Sequence, residues 1–365
     1  MKKLLILLVA LMALTISACA PSSDNGVDDP RDRTYELALI TDVGTIDDKS
    51  FNQGAWEGLR DYAEDNDITY KYYAPAAQDT QQYINSITLA VEAGAKVIVT
   101  PGFLFEPAIF QAQDLFPEVK FVLLDGFPQD GTYTEFRIED NVHSIFYAED
   151  QAGFLAGYAA VMDGYRSLGF MGGMAVPAVV RFGYGFVQGA EYAAAELGEN
   201  VTIQYTYLGD FEPTPGHQTR AAAWFDSGVE VIFAAAGGAG NSVMAAAEAN
   251  DGKVIGVDVD QRDESATVIT SALKGLGTSV YMALEDYYAD AFKGGESVTL
   301  DVTVDGVGLP EDFSRFSTFT KADYDAIFAA LVADTDGIRT GMLKDEDVES
   351  ASEIPTEFVT VTVTD

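Results

Sequence analysis

The stretch that decides the fold is residues 35–58, YELALITDVGTIDDKSFNQGAWEG. An apolar run at 35–41 predicts a strand, a polar loop follows it, and a helix is predicted over 51–66. A strand that leads through a loop into a helix is the first half of a parallel βαβ unit. The same stretch places Asp42 directly after the strand and Phe51 with Asn52 at the start of the helix.

The alternation of strand and helix continues along the chain. The first series has further strands at 68–73, 97–100, 120–124 and, more weakly, 136–140, with helices at 80–93 and 106–116. The second has strands at 167–171, 201–208, 231–234, 254–257 and 268–271, with helices at 150–162, 182–197, 217–226, 242–250 and 277–292. Such alternation gives parallel sheets covered by helices on both faces. About ten strands are too many for one comfortable sheet, so we predict two α/β lobes with a boundary near Asp140–Asn141 and a less regular tail after Asp301.

Composition excludes several classes of protein. Hydrophobic residues make up 48% of the 365 residues, which excludes intrinsic disorder. The formal net charge of −37 argues against a nucleic-acid partner, because a polyanion would be repelled. A single cysteine cannot form a disulfide framework.

The first residues have the layout of a secretory leader. Lys2 and Lys3 precede an apolar run at 4–16, which is short for a transmembrane span. The residues Ile16-Ser17-Ala18-Cys19 resemble a bacterial lipobox, which implies cleavage before Cys19 and lipidation of its sulfur. We therefore expect a signal peptide over 1–18 and a flexible tether over 19–34. A buried structural cysteine is the alternative.

Polar and aromatic residues follow the predicted strands, where open parallel sheets bind ligands. In the first lobe these residues are Asp42, Phe51, Asn52 and Asp125. In the second lobe they are Arg181, Phe182, Asp210, Phe211, Gly237, Gly238, Asn241, Asp258, Asp260 and Lys274. An aspartate after a strand is often only a helix N-cap, and a phenylalanine at a helix start is often core. The prediction of a site therefore depends on the set, which comes from both lobes.

The segment 38–58 closely resembles the opening of the basic membrane protein family of bacterial lipoproteins, the extracellular receptors of nucleoside-importing ABC transporters. The resemblance continues at 140–157 (DNVHSIFYAEDQAGFLAG), 172–189 (GGMAVPAVVRFGYGFVQG), 209–216, 256–260 and 270–274 (TSALK). It covers about residues 35–300.

The resemblance implies the fold of type I periplasmic binding proteins, two α/β lobes joined by three crossovers that close on a ligand. The crossings would lie near Asp140, near Lys274 and in the tail. One lobe would contain residues 35–140 plus about 275–310, and the other 141–274 plus about 311–365. The resemblance further implies a monomer without cofactor or catalytic activity, whose partners are a nucleoside, a permease and, through the lipid, the membrane.

The same resemblance assigns roles to the residues after the strands. Phe51 and Phe211 would sandwich a purine, with Phe182 as a second candidate for that wall. Asp42, Asn52 and Asp125 would contact the base. Asp258 and Lys274 would hold the ribose, helped by the backbone at Gly237 and Gly238. Three carboxylates against one lysine would repel a phosphate, which favours a nucleoside over a nucleotide.

Three other interpretations remain open. The fold also serves receptors for sugars or signalling molecules. The run Asp42–Asp48 is similar to the calcium-binding aspartate cluster of nucleoside hydrolases, although Ile40 stands where that family has an aspartate. The run 183–189, GYGFVQG, nearly matches a dinucleotide-binding motif, but it lies inside a predicted helix, where small residues serve helix packing.

The acidity of the chain allows two explanations. Many secreted bacterial proteins are acidic, and a saline habitat would also favour a dense shell of carboxylates. Only the second explanation predicts that salt stabilises the fold by screening self-repulsion.

Overall fold

The computed structural model describes residues 34–364, and in this part of the chain two β-sheets form the centres of the two lobes. The first sheet contains β1 (Leu37–Ile40), β2 (Tyr70–Tyr73), β3 (Val97–Pro101), β4 (Lys120–Leu124), β5 (Val142–Tyr147) and β11 (Glu296–Leu300). The second contains β6 (Ser167–Gly172), β7 (Val201–Tyr207), β8 (Val231–Phe233), β9 (Lys253–Asp258), β10 (Val268–Lys274), β12 (Val307–Gly308) and β13 (Val359–Val363).

Helices cover both sheets. They are α1 (Phe51–Asp65), α2 (Thr80–Glu92), α3 (Glu106–Leu115), α4 (Glu149–Met162), α5 (Pro177–Leu197), α6 (Pro215–Asp226), α7 (Gly240–Ala249), α8 (Leu276–Tyr288) and α9 (Lys321–Val332). No helix within residues 34–364 is long and apolar enough to cross a membrane. The predicted leader and Cys19 lie outside the described residues.

The strand order explains why the inner strands are apolar throughout. The first sheet has the order β2-β1-β3-β4-β5-β11 with all neighbours parallel, and the second has the order β13-β7-β6-β8-β9-β10-β12 with only β10 and β12 antiparallel. All four residues of β1, LALI, are buried. Helices on both faces leave such strands no polar side. The predicted two-lobed α/β fold is confirmed.

The described chain passes between the sheets three times, as predicted. It leaves the first sheet after β5 and reaches the second at β6, with α4 between them. After β10 it returns through α8, which packs on α1, to β11. It then crosses again between β11 and β12.

The fifth strand is not where the sequence analysis placed it. Segment 136–140 contributes only an isolated bridge between Gln129 and Phe136, and Phe136 is 55% exposed. The strand is β5, which pairs with β4 and β11. Segment 142–147 lies between two strands and is almost entirely buried, whereas residues 136–140 are exposed or half-buried and Arg137 among them forms ion pairs with Asp114 and Glu139. The first crossing therefore lies beyond Tyr147 and not near Asp140.

Helices α4 and α5 touch backbone to backbone. A Cβ on Gly185 would lie 1.9 Å from the carbonyl oxygen of Asp150, and one on Gly189 would lie 2.0 Å from that of Phe154. On α4, a Cβ on Gly153 would lie 2.1 Å from the carbonyl oxygen of Phe182. The GYGFVQG run is thus a helix-packing surface and not a dinucleotide-binding loop. This contact places the first turn of α4 beside residues 182–185 of α5.

The tail packs on the second lobe. Strand β13 pairs with β7 at the edge of the second sheet. The buried carboxylate of Asp163, which follows α4, accepts hydrogen bonds from the backbone N–H groups of Ser317, Thr318 and Phe319 through its Oδ1. One carboxylate therefore fixes the chain just before α9.

Candidate ligand-binding site

A cavity of about 510 Å³ lies where the carboxyl ends of strands from both sheets face each other. Residues at or after the ends of β1, β3, β4 and β5 line it from the first lobe, and residues at or after the ends of β6 to β10 line it from the second. The ten predicted site residues all line this one cavity: Asp42, Phe51, Asn52, Asp125, Phe182, Phe211, Gly237, Gly238, Asp258 and Lys274.

Asn52 holds two carboxylates at the end of the cavity where α1 begins, which we call the amide end (Asp42, Asp48 and Asn52). The Nδ2 group of Asn52 donates to Asp42 Oδ1 at 2.9 Å and to Asp48 Oδ2 at 3.0 Å. Burial raises the pKa of both aspartates, although these hydrogen bonds oppose the shift. Both N–H hydrogens of the Asn52 amide therefore serve protein carboxylates in this arrangement.

Asp48 caps the first turn of α1. Its carboxylate accepts hydrogen bonds from the backbone N–H groups of Ser50, Asn52 and Gln53 at 2.9 to 3.1 Å. The capping role considered for Asp42 thus belongs to Asp48. Asp42 instead accepts from the backbone N–H of Gly44 through Oδ1, and its Oδ2 lies beside Gly102, where a Cβ would come within 2.8 Å.

Aromatic rings reach the cavity from both lobes. Phe51 and Phe211 are half-buried, whereas Phe182 is only 2% exposed and packs edge-on against Phe233 in the core. The Phe211 ring lies on glycine backbone, because a Cβ on Gly173 would stand 2.4 Å from it. Phe51 and Phe211 are therefore the rings with surface to offer a ligand, and Phe182 forms a fixed wall.

Lys274 is the centre of a second polar cluster of the cavity, which we call the ionic end (Asp125, Glu149, Asp258 and Lys274). Its ammonium pairs with Asp125 Oδ2 and lies 3.0 Å from Glu149 Oε1. The rings of Phe51, Tyr147 and Phe182 surround it at 5.1 to 5.4 Å. Burial alone would lower the pKa of Lys274, but the charges of Asp125, Glu149 and Asp258 raise it above its usual value. Lys274 therefore stays charged inside the protein.

Asp125 belongs to the ionic end and not to the amide end. The resemblance grouped it with Asp42 and Asn52, but its carboxylate pairs with Lys274. Its second oxygen, Oδ1, is buried and accepts no hydrogen bond within residues 34–364. Asp125 and Asp258 share an unusual backbone, with φ of 52° and 68° in the left-handed region, which aspartate tolerates better than most residues.

Asp258 lies at the end of β9 and contacts the other lobe. Its Oδ2 accepts a hydrogen bond of 2.5 Å from Ser50 Oγ, just before α1. Burial raises the pKa of Asp258 to about 6, although the nearby charge of Lys274 opposes the shift. The Asp258 carboxylate therefore accepts a hydrogen bond from the hydroxyl of Ser50 and also lines the cavity.

The described lining of the cavity is strongly acidic. It includes eight carboxylates and two cations, Arg181 and Lys274, and both cations contact Glu149. Among residues 34–364, no group of three or more acidic, histidine or cysteine side chains has the geometry of a metal site. The cavity thus presents hydrogen-bond acceptors and aromatic faces.

Comparison with known proteins gives the family. The model of a family described as "ABC transporter substrate-binding protein PnrA-like" (Bmp) matches residues 35–327. The chain belongs to this family. Its members are substrate-binding proteins of ABC transporters and not enzymes, so the predicted family and the absence of a catalytic function are confirmed.

Individual relatives and a solved structure also place the chain among substrate-binding proteins of ABC transporters. The chain is 31% identical to the ABC transporter nucleoside-binding protein BmpA of Lactococcus lactis, over 83% of this chain and 90% of that one. It is also 31% identical to the CD4+ T-cell-stimulating antigen of Listeria innocua, over 83% and 88%. An ABC transporter solute-binding protein of Aeropyrum pernix K1 superposes with a TM-score of 0.67 and 27% identity, over 86% of this chain and 83% of that one.

Several side chains of this Bmp-family cavity were not among the predicted site residues, and Glu149 and Arg181 are two of them. Glu149 is 1% exposed and contacts Lys274, but in the sequence it looks like an ordinary acid in a first helical turn. Arg181 follows a predicted strand, but the resemblance assigned it no contact with the ligand. It lies 3.9 Å from Glu149 and is bonded to Asp345 in the tail at 2.7 Å, a partner that no local pattern reveals.

Burial has a larger effect on the pKa of Glu149 than on that of Asp258. It raises the pKa of Glu149 to about 8, and the charge of Lys274 opposes this shift. Its second oxygen, Oε2, accepts no hydrogen bond in the described part of the chain. Glu149 and Asp125 therefore each have one buried oxygen that accepts no hydrogen bond within residues 34–364, and that of Glu149 lies 3.9 Å from Arg181.

Proposed function

We propose that this substrate-binding protein is a lipid-anchored receptor on the extracytoplasmic face of the cell membrane. It would bind nucleosides, purine nucleosides above all, between its lobes and deliver them to the permease of an ABC importer. The observation that carries the proposal is the single cavity to which both lobes contribute aromatic rings and carboxylates. The nucleoside-binding protein of Lactococcus lactis supports it as a relative.

The amide end and the half-buried rings suit a nucleobase. A base offers two π-faces, and stacking on an aromatic ring contributes about 1–3 kcal/mol per base. Phe51 and Phe211 supply such rings from opposite lobes. Asp42 supplies an acceptor for a base N–H group, and the amide of Asn52 orients that acceptor instead of contacting the base itself.

The ionic end suits a ribose. A diol can donate to a carboxylate such as Asp258 and accept from the ammonium of Lys274, and charge-assisted hydrogen bonds of this kind are the stronger ones. A 5′-phosphate would meet eight carboxylates, and both cations of the described lining already face Glu149. The cavity should therefore exclude nucleotides.

The test is calorimetry with guanosine, guanine and guanosine monophosphate on wild type, Asp258→Asn and Asp260→Asn. Asp260 is an exposed neighbour in the same loop and serves as the matched control. We expect Asp258→Asn to weaken the binding of guanosine about 5- to 100-fold. The binding of guanine should weaken much less, because guanine has no ribose for Asp258 to contact.

The proposal fails if the monophosphate binds wild type as tightly as guanosine. Equal losses for base and nucleoside in Asp258→Asn would contradict the ribose assignment. A pentose added to the panel distinguishes the sugar receptor, because that alternative predicts binding of the sugar and not of the nucleoside. Anchoring is tested separately, since Cys19→Ala should leave the membrane fraction or retain its leader.

A further inference from the structure

Gln261 connects the two lobes from a position outside the cavity. It lies between β9 and β10, is 2% exposed, and is fixed in the second lobe, where its Oε1 accepts from the backbone N–H of Val257 at 3.0 Å. Its own backbone N–H donates to Ser271 Oγ at 3.1 Å. Its Nε2 then crosses to the first lobe and donates to the backbone carbonyl of Lys49 at 2.6 Å.

The backbone on both sides of this contact has an unusual conformation. Lys49 has a φ of 63° and Asp258 a φ of 68°, both in the left-handed region. A lysine adopts this conformation only where its surroundings stabilise it, and such residues concentrate at functional and switching segments. The carbonyl that Gln261 contacts belongs to this strained lysine.

Two further contacts join the same segments. Ser50 Oγ donates to Asp258 Oδ2 at 2.5 Å, and the Lys49 ammonium lies 3.4 Å from Glu264 Oε1. The Lys49–Glu264 pair is 40% and 30% exposed, so water screens it and it contributes little. The buried amide of Gln261 is the stronger connection of the two that involve Lys49.

We propose that Gln261 is a positioning residue that holds the lobes closed and thereby sets the affinity for every ligand of the cavity by the same factor. Lys49 and Gln261 do not belong to the described lining of the cavity, so the contact acts on closure and not on the ligand. This inference rests on the proposed function only for the choice of probes. Closure free energy from protein contacts adds equally to the binding of each ligand that needs the closed state.

The decisive variant is Gln261→Glu. Its size is nearly unchanged, and a carboxylate oxygen still accepts from the Val257 N–H. The Nε2 group that donates to the Lys49 carbonyl, however, is replaced by a carboxylate oxygen, which cannot donate. We expect guanosine, inosine and cytidine each to bind about 5- to 50-fold more weakly at pH 8, by a common factor, mainly through faster dissociation.

Protonation provides a rescue that a merely structural defect would not show. A neutral carboxyl at position 261 can donate to the Lys49 carbonyl, so the loss should shrink as the pH falls to about 5. Other ionisable groups lie near this position in wild type as well: Lys49, Asp258, Asp260, Arg262 and Glu264. The ratio of variant to wild-type affinity at each pH therefore isolates the new carboxyl.

Lys49→Ala is the matched control, because it removes the ion pair with Glu264 and keeps the carbonyl that Gln261 contacts. It should change affinity by less than about twofold. Small-angle scattering on both variants and wild type without added nucleoside tests the contact between Gln261 and Lys49 independently of the ligand. Gln261→Glu should have the larger radius of gyration at pH 8, and Lys49→Ala that of wild type.

The possible results separate the two proposals. Unequal losses among the three nucleosides, or an unchanged radius of gyration in Gln261→Glu, would overturn the role of Gln261. If no nucleoside binds wild type, the proposed function fails, and the scattering result still decides whether Gln261 holds the lobes together.

Discussion

The two ends of the cavity stabilise buried carboxylates in different ways. At the amide end, Asp42 and Asp48 share the two N–H hydrogens of Asn52, and Asp48 also caps the N-terminus of α1. At the ionic end, Asp125 and Glu149 contact the ammonium of Lys274. The first arrangement uses neutral dipoles from one lobe. The second uses the full charge of Lys274, whose partners follow β4 and begin α4.

This difference shows which contacts depend on lobe arrangement. The amide end is built from residues 42–53, so it forms wherever the first strand and helix form. The ionic end needs β4, α4 and β10 in place together. We therefore expect substitutions at the ionic end to affect the whole fold and those at the amide end to act more locally.

The largest effect is expected for Lys274→Met. Removing the ammonium leaves Asp125 and Glu149 buried without their cation, and breaking a buried ion pair in this way costs about 3–5 kcal/mol of unfolding free energy. Urea unfolding followed by circular dichroism measures the loss. Lys96→Met, which removes a surface pair with Glu36, should change little. Equal effects of the two variants would contradict the importance of the ionic end.

A smaller loss is expected for Asn52→Ala. Two buried carboxylates lose their shared donor, which costs about 1–3 kcal/mol of unfolding free energy. Asn250→Ala is the control, because Asn250 is half-buried and its Nδ2 donates to a backbone carbonyl, that of Ala246 in α7, and not to a carboxylate. If Asn52→Ala destabilises the protein more than Lys274→Met does, our ranking of the two ends is wrong.

The pH dependence of stability should have an unusual sign. The pKa of Glu149 rises to about 8 on folding from a usual value of 4.5, and that of Asp258 rises to about 6 from 3.8. The folded state therefore binds more protons than the unfolded state between these values, so the unfolding free energy falls as the pH rises from about 5 to about 8.

Glu149→Gln tests this explanation. It removes one titrating group, so the decrease should become shallower by up to about 1.4 kcal/mol per pH unit. Urea unfolding at several pH values gives both slopes. A slope that stays unchanged in Glu149→Gln would assign the dependence to other acids, such as those of the surface.

The smallest effect is expected for the change of Tm with salt, because salt screens exposed charges much more than buried ones. With a net charge of −37, the protein should gain a few degrees in Tm between low salt and molar NaCl, because salt screens repulsion among exposed carboxylates. The difference between wild type and Lys274→Met should not change, since buried pairs are screened much less. A constant wild-type Tm would exclude the saline-habitat explanation of the acidity.

The sequence predicted which residues line one cavity because parallel sheets bring the carboxyl ends of their strands to one edge. Asp42 follows β1 and Asp125 follows β4 in the first sheet, and Asp258 and Lys274 end β9 and β10 in the second, so strand order places each pair at the edge of its own sheet. The resemblance to the family supplied the roles. Glu149 escaped this reasoning because the fifth strand was predicted at 136–140, whereas β5 ends at Tyr147, two residues before Glu149.

By itself, the sequence determined the alternation of strands and helices, the two lobes and the glycine spacing that brings α4 against α5, because these depend on local periodicity and residue size. Only the tertiary structure decided that β5 belongs to the first sheet, that Asp125 pairs with Lys274, and that Gln261 reaches Lys49. Each of these contacts joins residues from distant parts of the chain or depends on a neighbouring strand. Local patterns do not record such partners, because hydrogen bonds and ion pairs across lobes depend on the final distances between elements.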